Sequence, residues 1–286
     1  MKKPQTVKVG EPLIVAHGLT LRLPFRASYG DVDLDIPRGS LCAVVAENNQ
    51  GKTELLLSLA GRMKPSSGTL QVAGYPLPRK RAAVRRISGL GFFDRVNEVQ
   101  PVLSVRNVVA AELNLYSLRS GRRATETFIE EWGFGSVAKD KVETLDRFTY
   151  TRLGIALGMV GDPLLLVVDD IESDLTRHQS LKLMEELKDL AHNRAMTVVV
   201  ACTDYDLALA ADMAVPVSES AREQARAVRE KLQTSAPTGA LAQELNEAVD
   251  CPAVQLHERG VAASGVQAPD LAGAATDERT EVANRA

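Results

Sequence analysis

The chain has 286 residues, a formal net charge of −3 and 45% hydrophobic residues, enough for one large domain or two modest ones with a packed core. The slightly negative charge argues against a dedicated nucleic-acid-binding protein, because such proteins usually carry a basic excess. Apolar runs such as LLLVV at 164–168 and TVVVAC at 197–202 are far too short to span a bilayer.

The first part of the sequence predicts strands around a strand–loop–helix unit. Residues 13–23 and 31–36 alternate apolar and polar side chains, which is typical of half-buried strands. The run SLCAVVA at 40–46 is continuously apolar, as expected for a buried strand, and residues 53–63 have the apolar spacing of a helix. A further strand is predicted at 68–74.

The second part predicts a helical region followed by more of the sheet. Residues 79–160 are mostly helical in pattern, and PLLLVVDD at 163–170 predicts a second buried strand. An amphipathic helix at 180–193 and a third strand at 196–204 follow. A strand, a helix and a strand in this order indicate a parallel sheet.

The C-terminal part differs in composition, because it contains no Phe, Trp or Tyr from Ser218 to Ala286. We predict a helical appendage over 218–250. We expect a disordered tail over 251–286, since too few apolar side chains are present there to offset the entropy lost on ordering.

The loop AENNQGKT at 46–53 joins a predicted strand to a predicted helix, which is the context of a phosphate-binding loop. Backbone N–H groups at a helix N-terminus offer aligned donors to phosphate oxygens. Gly51 permits close approach, Lys52 can reach the terminal phosphates, and the Thr53 hydroxyl can bind Mg²⁺. The nucleotide-binding candidates are Ala46, Glu47, Asn48, Asn49, Gln50, Gly51, Lys52 and Thr53.

The front of this loop lacks two glycines that usually help the backbone to curl. Asn49 is a tolerable replacement because asparagine adopts left-handed backbone angles more readily than most residues, and Ala46 is a milder loss. The carboxylate of Glu47, if well solvated, repels a polyphosphate by about 1 kcal/mol. The alternative interpretation is that Lys52 merely begins an ordinary helix.

Two acidic residues, Asp169 and Asp170, follow the second buried strand. In open parallel sheets, ligands bind at the edge formed by the carboxyl ends of the strands. Asp169 is therefore the second candidate for holding Mg²⁺, and Asp170 is the candidate for orienting or deprotonating an attacking water. The alternative is a carboxylate pair that simply ends the strand.

These motifs resemble the nucleotide-binding subunit of ATP-binding cassette (ABC) transporters over roughly residues 13–217. The segment from DVDLDIPRGS to PSSGTLQVAG follows that family's opening segment, and VETLDRFTYTRLGIALGMVGDPLLLVVDD matches the run from its signature helix to its acidic strand. The resemblance implies an α/β P-loop NTPase fold of ABC type, with a mostly parallel sheet core, N-terminal antiparallel strands and a helical subdomain at about 95–160. It also implies a nucleotide-binding domain over 1–217 with ATP and Mg²⁺ as cofactors.

The same resemblance implies the partners and the location of the protein. They are a membrane permease subunit, docked beside Asp94 and Arg95, and a second ABC subunit in a homodimer or a heterodimer. The chain is then expected to be cytoplasmic and peripheral on the inner face of the cell membrane, with no nucleic acid as a partner.

Several positions depart from the family's catalytic motifs. The signature Leu-Ser-Gly-Gly-Gln falls on Leu145–Thr149, where Asp146 presents a negative charge and Phe148 prevents close backbone approach. Because losing several positioning groups together leaves little turnover, we expect weak or absent ATP hydrolysis. The other departures are Asp94 or Arg95 for the Q-loop glutamine, Asp170 for the catalytic glutamate, Thr176 for the D-loop aspartate and Thr203 for the switch histidine.

Two further features of the sequence each have two interpretations. Tyr29, or else Phe25, is the candidate for stacking on adenine, and the alternative is an ordinary packed aromatic. A basic cluster is either a solvated face or a contact for acidic lipids or a membrane partner. This cluster consists of Arg79, Lys80, Arg81, Arg85 and Arg86.

The function expected first is an ATP-binding subunit of an ABC transporter, coupled to a permease. The second hypothesis is a nucleotide-sensing or structural protein of ABC type without a transport role. An active stand-alone ATPase is the least favoured hypothesis, because most catalytic motifs are altered.

Overall fold

The central feature of the structure is a five-stranded parallel sheet with the strand order β6-β7-β8-β3-β9. The computed structural model describes residues 12–24, 26–93, 96–116 and 121–235. Every residue of β3, β7 and β8 is buried, which explains their continuous apolar sequences. The strands are β3 (Leu41–Val45), β6 (Ser88–Leu90), β7 (Leu165–Val168), β8 (Thr197–Cys202) and β9 (Met213–Pro216).

A second, antiparallel sheet has the strand order β2-β1-β4-β5. In β2, the side chains of Val32, Leu34 and Ile36 are buried while the aspartates between them are exposed, as the alternating sequence predicts. The strands are β1 (Pro12–Leu23), β2 (Arg26–Pro37), β4 (Ser67–Val72) and β5 (Tyr75–Leu77).

Helices cover both faces of the parallel sheet. Leu55 and Leu59 of α1 pack in a core that includes Val44 of the parallel sheet and residues of the antiparallel sheet. Leu183 and Leu187 of α6 pack on the opposite face of the parallel sheet. The helices are α1 (Lys52–Leu59), α2 (Arg81–Ile87), α3 (Val105–Leu115), α4 (Arg122–Glu131), α5 (Arg147–Gly158), α6 (Arg177–Arg194), α7 (Tyr205–Ala208) and α8 (Glu219–Ser235). Within the described residues, no helix combines the length and apolarity needed to cross a bilayer.

Helices α3, α4 and α5 surround a separate apolar cluster that contains Val109, Phe134 and Leu153. This cluster lies within the range predicted as a helical subdomain. The last turn of α5 meets the sheet at two glycines: a methyl group on Gly89 would lie 1.9 Å from the Gly158 carbonyl oxygen. Glycine at both positions therefore lets α5 lie directly against β6.

Helix α8 occupies the first part of the predicted helical appendage. Ala221 and Ala225 are buried in the same core as Leu183 and Leu187 of α6, so α8 packs on the same face of the parallel sheet as α6. Residues 236–250 and the tail predicted at 251–286 lie outside the described residues, and the division at residue 217 stays a prediction.

We predict that Gly89→Ala lowers the free energy of unfolding by about 3 kcal/mol, because the added methyl group clashes with the backbone of α5. The measurement is urea unfolding followed by circular dichroism. Gly135→Ala is the matched control: no heavy atom lies within 4 Å of its added methyl group, so its effect stays within about 0.5 kcal/mol. Equal stability of the two variants would contradict the close packing of α5 on β6.

Candidate functional site

The loop between β3 and α1 is curled by two left-handed residues. Asn49 has a φ of 64° and Gly51 a φ of 83°. The turn is closed by the Gln50 N–H, which donates to the Glu47 carbonyl oxygen at 3.2 Å. Asn49 thus adopts the conformation that asparagine tolerates, and the loop keeps the backbone curl on which anion binding by successive N–H groups depends.

Gly51 is required at its position for a second reason. A Cβ atom there would lie 2.0 Å from the carbonyl oxygen of Ser28 in β2. The loop therefore packs directly on the antiparallel sheet, and only a residue without a side chain fits between them. Residues 47–50 remain exposed, so this part of the loop is accessible to a ligand.

Lys52 is the first residue of α1, and its side chain is only 6% exposed. Its Nζ lies 3.5 Å from Oδ1 of Asn48, a neutral and distant acceptor. Within the described residues, Lys52 forms no salt bridge. A buried ammonium group without a close anionic partner favours the arrival of an anion.

Thr53 and Asp169 meet as the sequence predicts. The Thr53 hydroxyl donates to Oδ2 of Asp169 over 2.6 Å, although the two residues are 116 positions apart. Both offer hard oxygen ligands of the kind that Mg²⁺ prefers. Among the described residues, no group of three His, Cys, Asp or Glu residues could hold a metal unaided. A metal at this position would therefore share its coordination with water and with phosphate oxygens.

The electrostatic environment of Asp169 disfavours its charged form. Burial raises the pKa of this carboxyl group, the Thr53 hydroxyl counteracts this through its hydrogen bond, and the neighbouring charge of Asp170 raises the pKa further. Lys52 acts in the opposite direction. Asp170 itself is exposed and has a φ of 48°, which is a strained conformation for a residue other than glycine.

Glu172, in the loop after β7, is a residue of the candidate site that the sequence did not indicate. Its Oε2 accepts the N–H of Thr203 at 2.7 Å together with the Thr203 hydroxyl, and its Oε1 accepts the N–H of Asp204 at 3.0 Å. Asp204 in turn pairs with Arg177 at 2.5 Å. The position predicted to replace the switch histidine, Thr203, is therefore held in place by Glu172.

The segment predicted to replace the family signature forms the start of α5. Asp146 caps this helix by accepting the N–H of Thr149 at 3.1 Å and its hydroxyl at 2.6 Å, and these bonds hold the pKa of Asp146 below its ordinary value. Phe148 packs against its own chain, with Nζ of Lys182 5.3 Å and the guanidinium of Arg152 6.0 Å from its ring centre. The side chains of Asp146 and Phe148 thus both contact residues of their own chain.

The Arg147 side chain connects the start of α5 to the loop after β7, which contains Asp169, Asp170 and Glu172. Its Nε donates to the carbonyl oxygen of Ser173 at 3.2 Å. Thr176, predicted at the D-loop aspartate, caps α6 in a reciprocal pair with Gln179. These contacts give Arg147 and Thr176 local structural roles.

The structure places Tyr29 in the core. The residue is 4% exposed, and its hydroxyl donates to Oγ of Ser58 at 2.8 Å. Burial raises the pKa of this phenol to about 12. Tyr29 is therefore an ordinary packed aromatic, and its ring has no free face on which adenine could stack. The second candidate, Phe25, and the predicted Q-loop positions Asp94 and Arg95 lie outside the described residues.

Comparison with protein families matches residues 29–173, just over half of the chain, to the family described as ABC transporter. The matched segment contains the loop, the Thr53–Asp169 pair and Glu172. This part of the chain is thus similar in sequence to proteins of this family, and the match leaves out the start of α6 and the loop after β8.

Relatives among curated proteins are ATP-binding proteins of transport systems. The energy-coupling factor transporter ATP-binding protein EcfA2 of Methanospirillum hungatei is 29% identical over 203 residues, which cover 69% of this chain and 51% of that protein. The lipoprotein-releasing system ATP-binding protein LolD of Bordetella pertussis is 28% identical over 187 residues, which cover 64% and 81%. The chain thus spans only about half the length of the first of these relatives.

Solved structures show the same fold. CbiO1 of Clostridium perfringens, part of the ABC transporter complex cbiONQ, aligns with a TM-score of 0.63 and 20% identity, covering 73% of this chain and 86% of that chain. A dimeric ATP-binding cassette in a post-hydrolysis state, bound to ADP and Pi, aligns with a TM-score of 0.62 and 19% identity, covering 72% and 94%. From the family match and the shared fold, we conclude that this chain belongs to the ABC transporter family and has the fold of its ATP-binding cassettes.

Proposed function

We propose that the chain is the ATP-binding subunit of an ABC transporter and binds ATP with Mg²⁺ at the edge formed by the 46–53 loop and β7. The observation that carries this proposal is the 2.6 Å hydrogen bond between Thr53 and Asp169. It brings the predicted metal ligands from two distant parts of the chain to one point. If Lys52 merely began an ordinary helix and Asp169 and Asp170 merely ended a strand, the two segments would have no need to meet.

The residues of the site fit a magnesium triphosphate. Thr53 and Asp169 supply oxygen ligands, and the metal, when bound, neutralises charge on the phosphates. The ammonium group of Lys52 is buried beside the loop and attracts the terminal phosphates. The curled backbone at Asn49 and Gly51 directs N–H groups toward the same anion.

Glu47 opposes binding, because its exposed carboxylate lies on the loop that receives the phosphates. A repulsion of about 1 kcal/mol weakens affinity by about fivefold. We therefore propose that the affinity for ATP is lower than that of a loop without this charge, and that the retained lysine and metal ligands keep binding measurable.

Weak or absent hydrolysis follows from the groups around the site. Asp170, the candidate base, is exposed and has a shorter side chain than glutamate. Thr203 cannot titrate as a histidine does, and Glu172 already holds it. In the signature segment, Asp146 repels a partner's phosphate. Because each of these positions normally stabilises or times the transition state, their joint loss leaves little turnover.

The partners are proposed from the family and the named relatives. We propose that the subunit docks on a membrane permease through the segment that contains Asp94 and Arg95, on the cytoplasmic face of the membrane. A heterodimer with an intact ABC subunit supplies a working signature to this chain's loop. A homodimer places Asp146 and Phe148 at both sites, and mass spectrometry of a complex purified from native membranes separates the two assemblies.

A nucleotide-sensing or structural role without transport is the second candidate. It is favoured by the intrachain contacts of Phe148, which engage the signature segment with α6 in the same chain. Co-purification of the chain with a polytopic membrane protein supports the transport role. Its isolation with soluble proteins alone supports the sensing role.

We predict saturable binding of Mg–ATP that Lys52→Ala weakens at least about tenfold, because a charge-assisted contact with the phosphates is lost. The measurement is equilibrium titration with a fluorescent ATP analogue. Lys139→Ala is the control, since it removes an exposed lysine outside the loop. The absence of saturable binding at millimolar ATP by the unaltered protein would make the loop vestigial. An equal loss in both variants would indicate non-specific attraction.

We predict that Asp169→Asn stabilises the protein without nucleotide at neutral pH. Since the pKa of Asp169 is raised in the folded state, the unfolded state loses this proton first, and stability falls as the pH rises above the ordinary value of 3.8. The advantage of the variant therefore shrinks toward acidic pH. Urea unfolding across pH measures it, with Asp140→Asn at an exposed position as the control.

The same unfolding measurement, repeated with Mg–ATP present, tests whether Asp169 contributes to ligand binding. Mg–ATP raises the unfolding free energy of the unaltered protein by ligand binding to the folded state. The stabilisation by Mg–ATP is smaller in Asp169→Asn, which lacks a charged metal ligand. A destabilised Asp169→Asn variant at neutral pH would contradict a buried carboxylate that is held ready for a cation.

A further inference from the structure

The chain carries a stretch of strongly segregated positive charge. Between residues 55 and 93 there is no Asp, Glu or His, and seven residues are Lys or Arg. Because the whole chain has a net charge of −3 and this stretch contributes +7, the remaining residues carry −10. Such separation of charge gives one surface a positive potential on an acidic protein.

The fold brings most of these charges together around α2. Four of the seven residues of α2 are exposed, Ala83 and Ile87 are half-buried, and Val84 is buried. A methyl group on Gly61 would lie 3.1 Å from the Arg81 carbonyl oxygen and 3.2 Å from the Val84 side chain, so the chain that leaves α1 runs along α2. We name the exposed residues gathered there the basic surface: Arg62, Arg79, Lys80, Arg81, Arg85 and Arg86.

The charges of the basic surface lack acidic partners within the described part of the chain. None of its residues belongs to a salt bridge there, whereas Arg106, Arg152 and Arg177 each pair with a carboxylate. Arg62 is influenced instead by its surroundings: partial burial and the like charge of Arg85 lower its pKa, while Tyr116 raises it. Unpaired and crowded cations favour an extended anionic partner.

Apolar side chains border the basic surface. Tyr116 interacts with Arg62 and lies across Gly161, where a methyl group would be 2.6 Å from the tyrosine ring. Tyr116 is 44% exposed, and the preceding Leu115, at the end of α3, is 76% exposed. Exposed leucine and tyrosine beside arginines form a surface typical of contact with the interfacial region of a bilayer.

We propose that the basic surface, with Leu115 and Tyr116 at its border, binds the phosphate headgroups of an anionic membrane. One guanidinium group can bind two oxygens of the same phosphate, and the headgroup layer of a membrane presents many phosphates in one plane. The surface is open, and its charges are spread over α2 and the segment after α1. A lipid surface fits this spread better than a single acidic peptide does.

The inference goes beyond nucleotide binding and is separable from it. Helix α1 begins at the phosphate loop with Lys52 and ends at Leu59, so Arg62 lies beyond its other end. The basic surface is therefore separate from the Thr53–Asp169 site. Membrane binding by this surface adds a direct lipid contact to the proposed docking on a permease.

The test uses the full chain without nucleotide and sedimentation with vesicles. We expect binding to phosphatidylcholine vesicles that contain phosphatidylglycerol, no binding to phosphatidylcholine alone, and weakening with added salt. Arg85→Gln/Arg86→Gln lowers the partition coefficient about 25-fold, at about fivefold per basic residue near the membrane. Both positions are exposed, and glutamine keeps the helix propensity.

Arg226→Gln/Arg229→Gln on α8 is the matched control, because it removes the same charge from exposed positions of another helix. This control keeps the vesicle binding of the unaltered protein, and Arg85→Gln/Arg86→Gln keeps its affinity for ATP. Equal losses in the two double variants, or binding to neutral vesicles, would overturn the proposal. Binding to polyglutamate without binding to anionic vesicles would reassign the surface to an acidic protein.

Discussion

The hydrogen bond between Thr53 and Asp169 is the contact on which the site depends. It exists because β7 and β3 lie on either side of β8, so that the loop after β3 and the tip of β7 reach the same edge of the parallel sheet. The close fit of Gly51 on Ser28 fixes the loop from the other side. The sheet topology, more than any local signal, therefore brings the two proposed metal ligands together.

This convergence is not favourable to the stability of the protein by itself. The Asp169 carboxylate is buried beside a second carboxylate, and Lys52 is buried without a salt bridge among the described residues, with the neutral Asn48 side chain as its hydrogen-bond acceptor. Each feature disfavours the empty site, and both are relieved by a ligand that contains a cation and an anion. A magnesium triphosphate has this composition, which connects the electrostatics of the site to the proposed function.

The positions predicted to depart from the family's motifs share a different property, because their side chains contact other residues of the same chain. Glu172 holds Thr203, Asp146 caps α5, and Phe148 packs on α6. In the proposed function, groups that normally respond to a partner or to the terminal phosphate become structural here. This combination of a retained binding side and a fixed catalytic side is the basis for proposing ATP binding with weak turnover.

Much of the fold was predictable because its signals are local. Continuous apolar runs identified β3, β7 and β8, and the left-handed Asn49 follows from the known tolerance of asparagine. For Tyr29 the sequence left both adenine stacking and ordinary packing open. Strict alternation along β2 would place its side chain on the face of the strand opposite to that of Val32. The left-handed backbone at Asp31 (φ 51°) and an irregular register invert that alternation and turn Tyr29 into the core.

Other features could not be read from local patterns. The role of Glu172 depends on the loops after β7 and β8 meeting, and only the neighbouring order of these strands brings them together. The strand order was not specified by the sequence patterns. In the same way, the packing of Phe148 depends on the approach of α5 to α6, which no spacing along the chain reports.

A crystal structure of the chain with Mg²⁺ and a non-hydrolysable ATP analogue tests the central claim most directly. The account predicts a metal bound by the Thr53 hydroxyl, with Asp169 beside it, and a terminal phosphate at the Lys52 ammonium. Metal–oxygen distances of about 2.1 Å would identify Mg²⁺. An analogue bound elsewhere, or a Thr53–Asp169 pair that remains closed with no metal between the loop and β7, would contradict it.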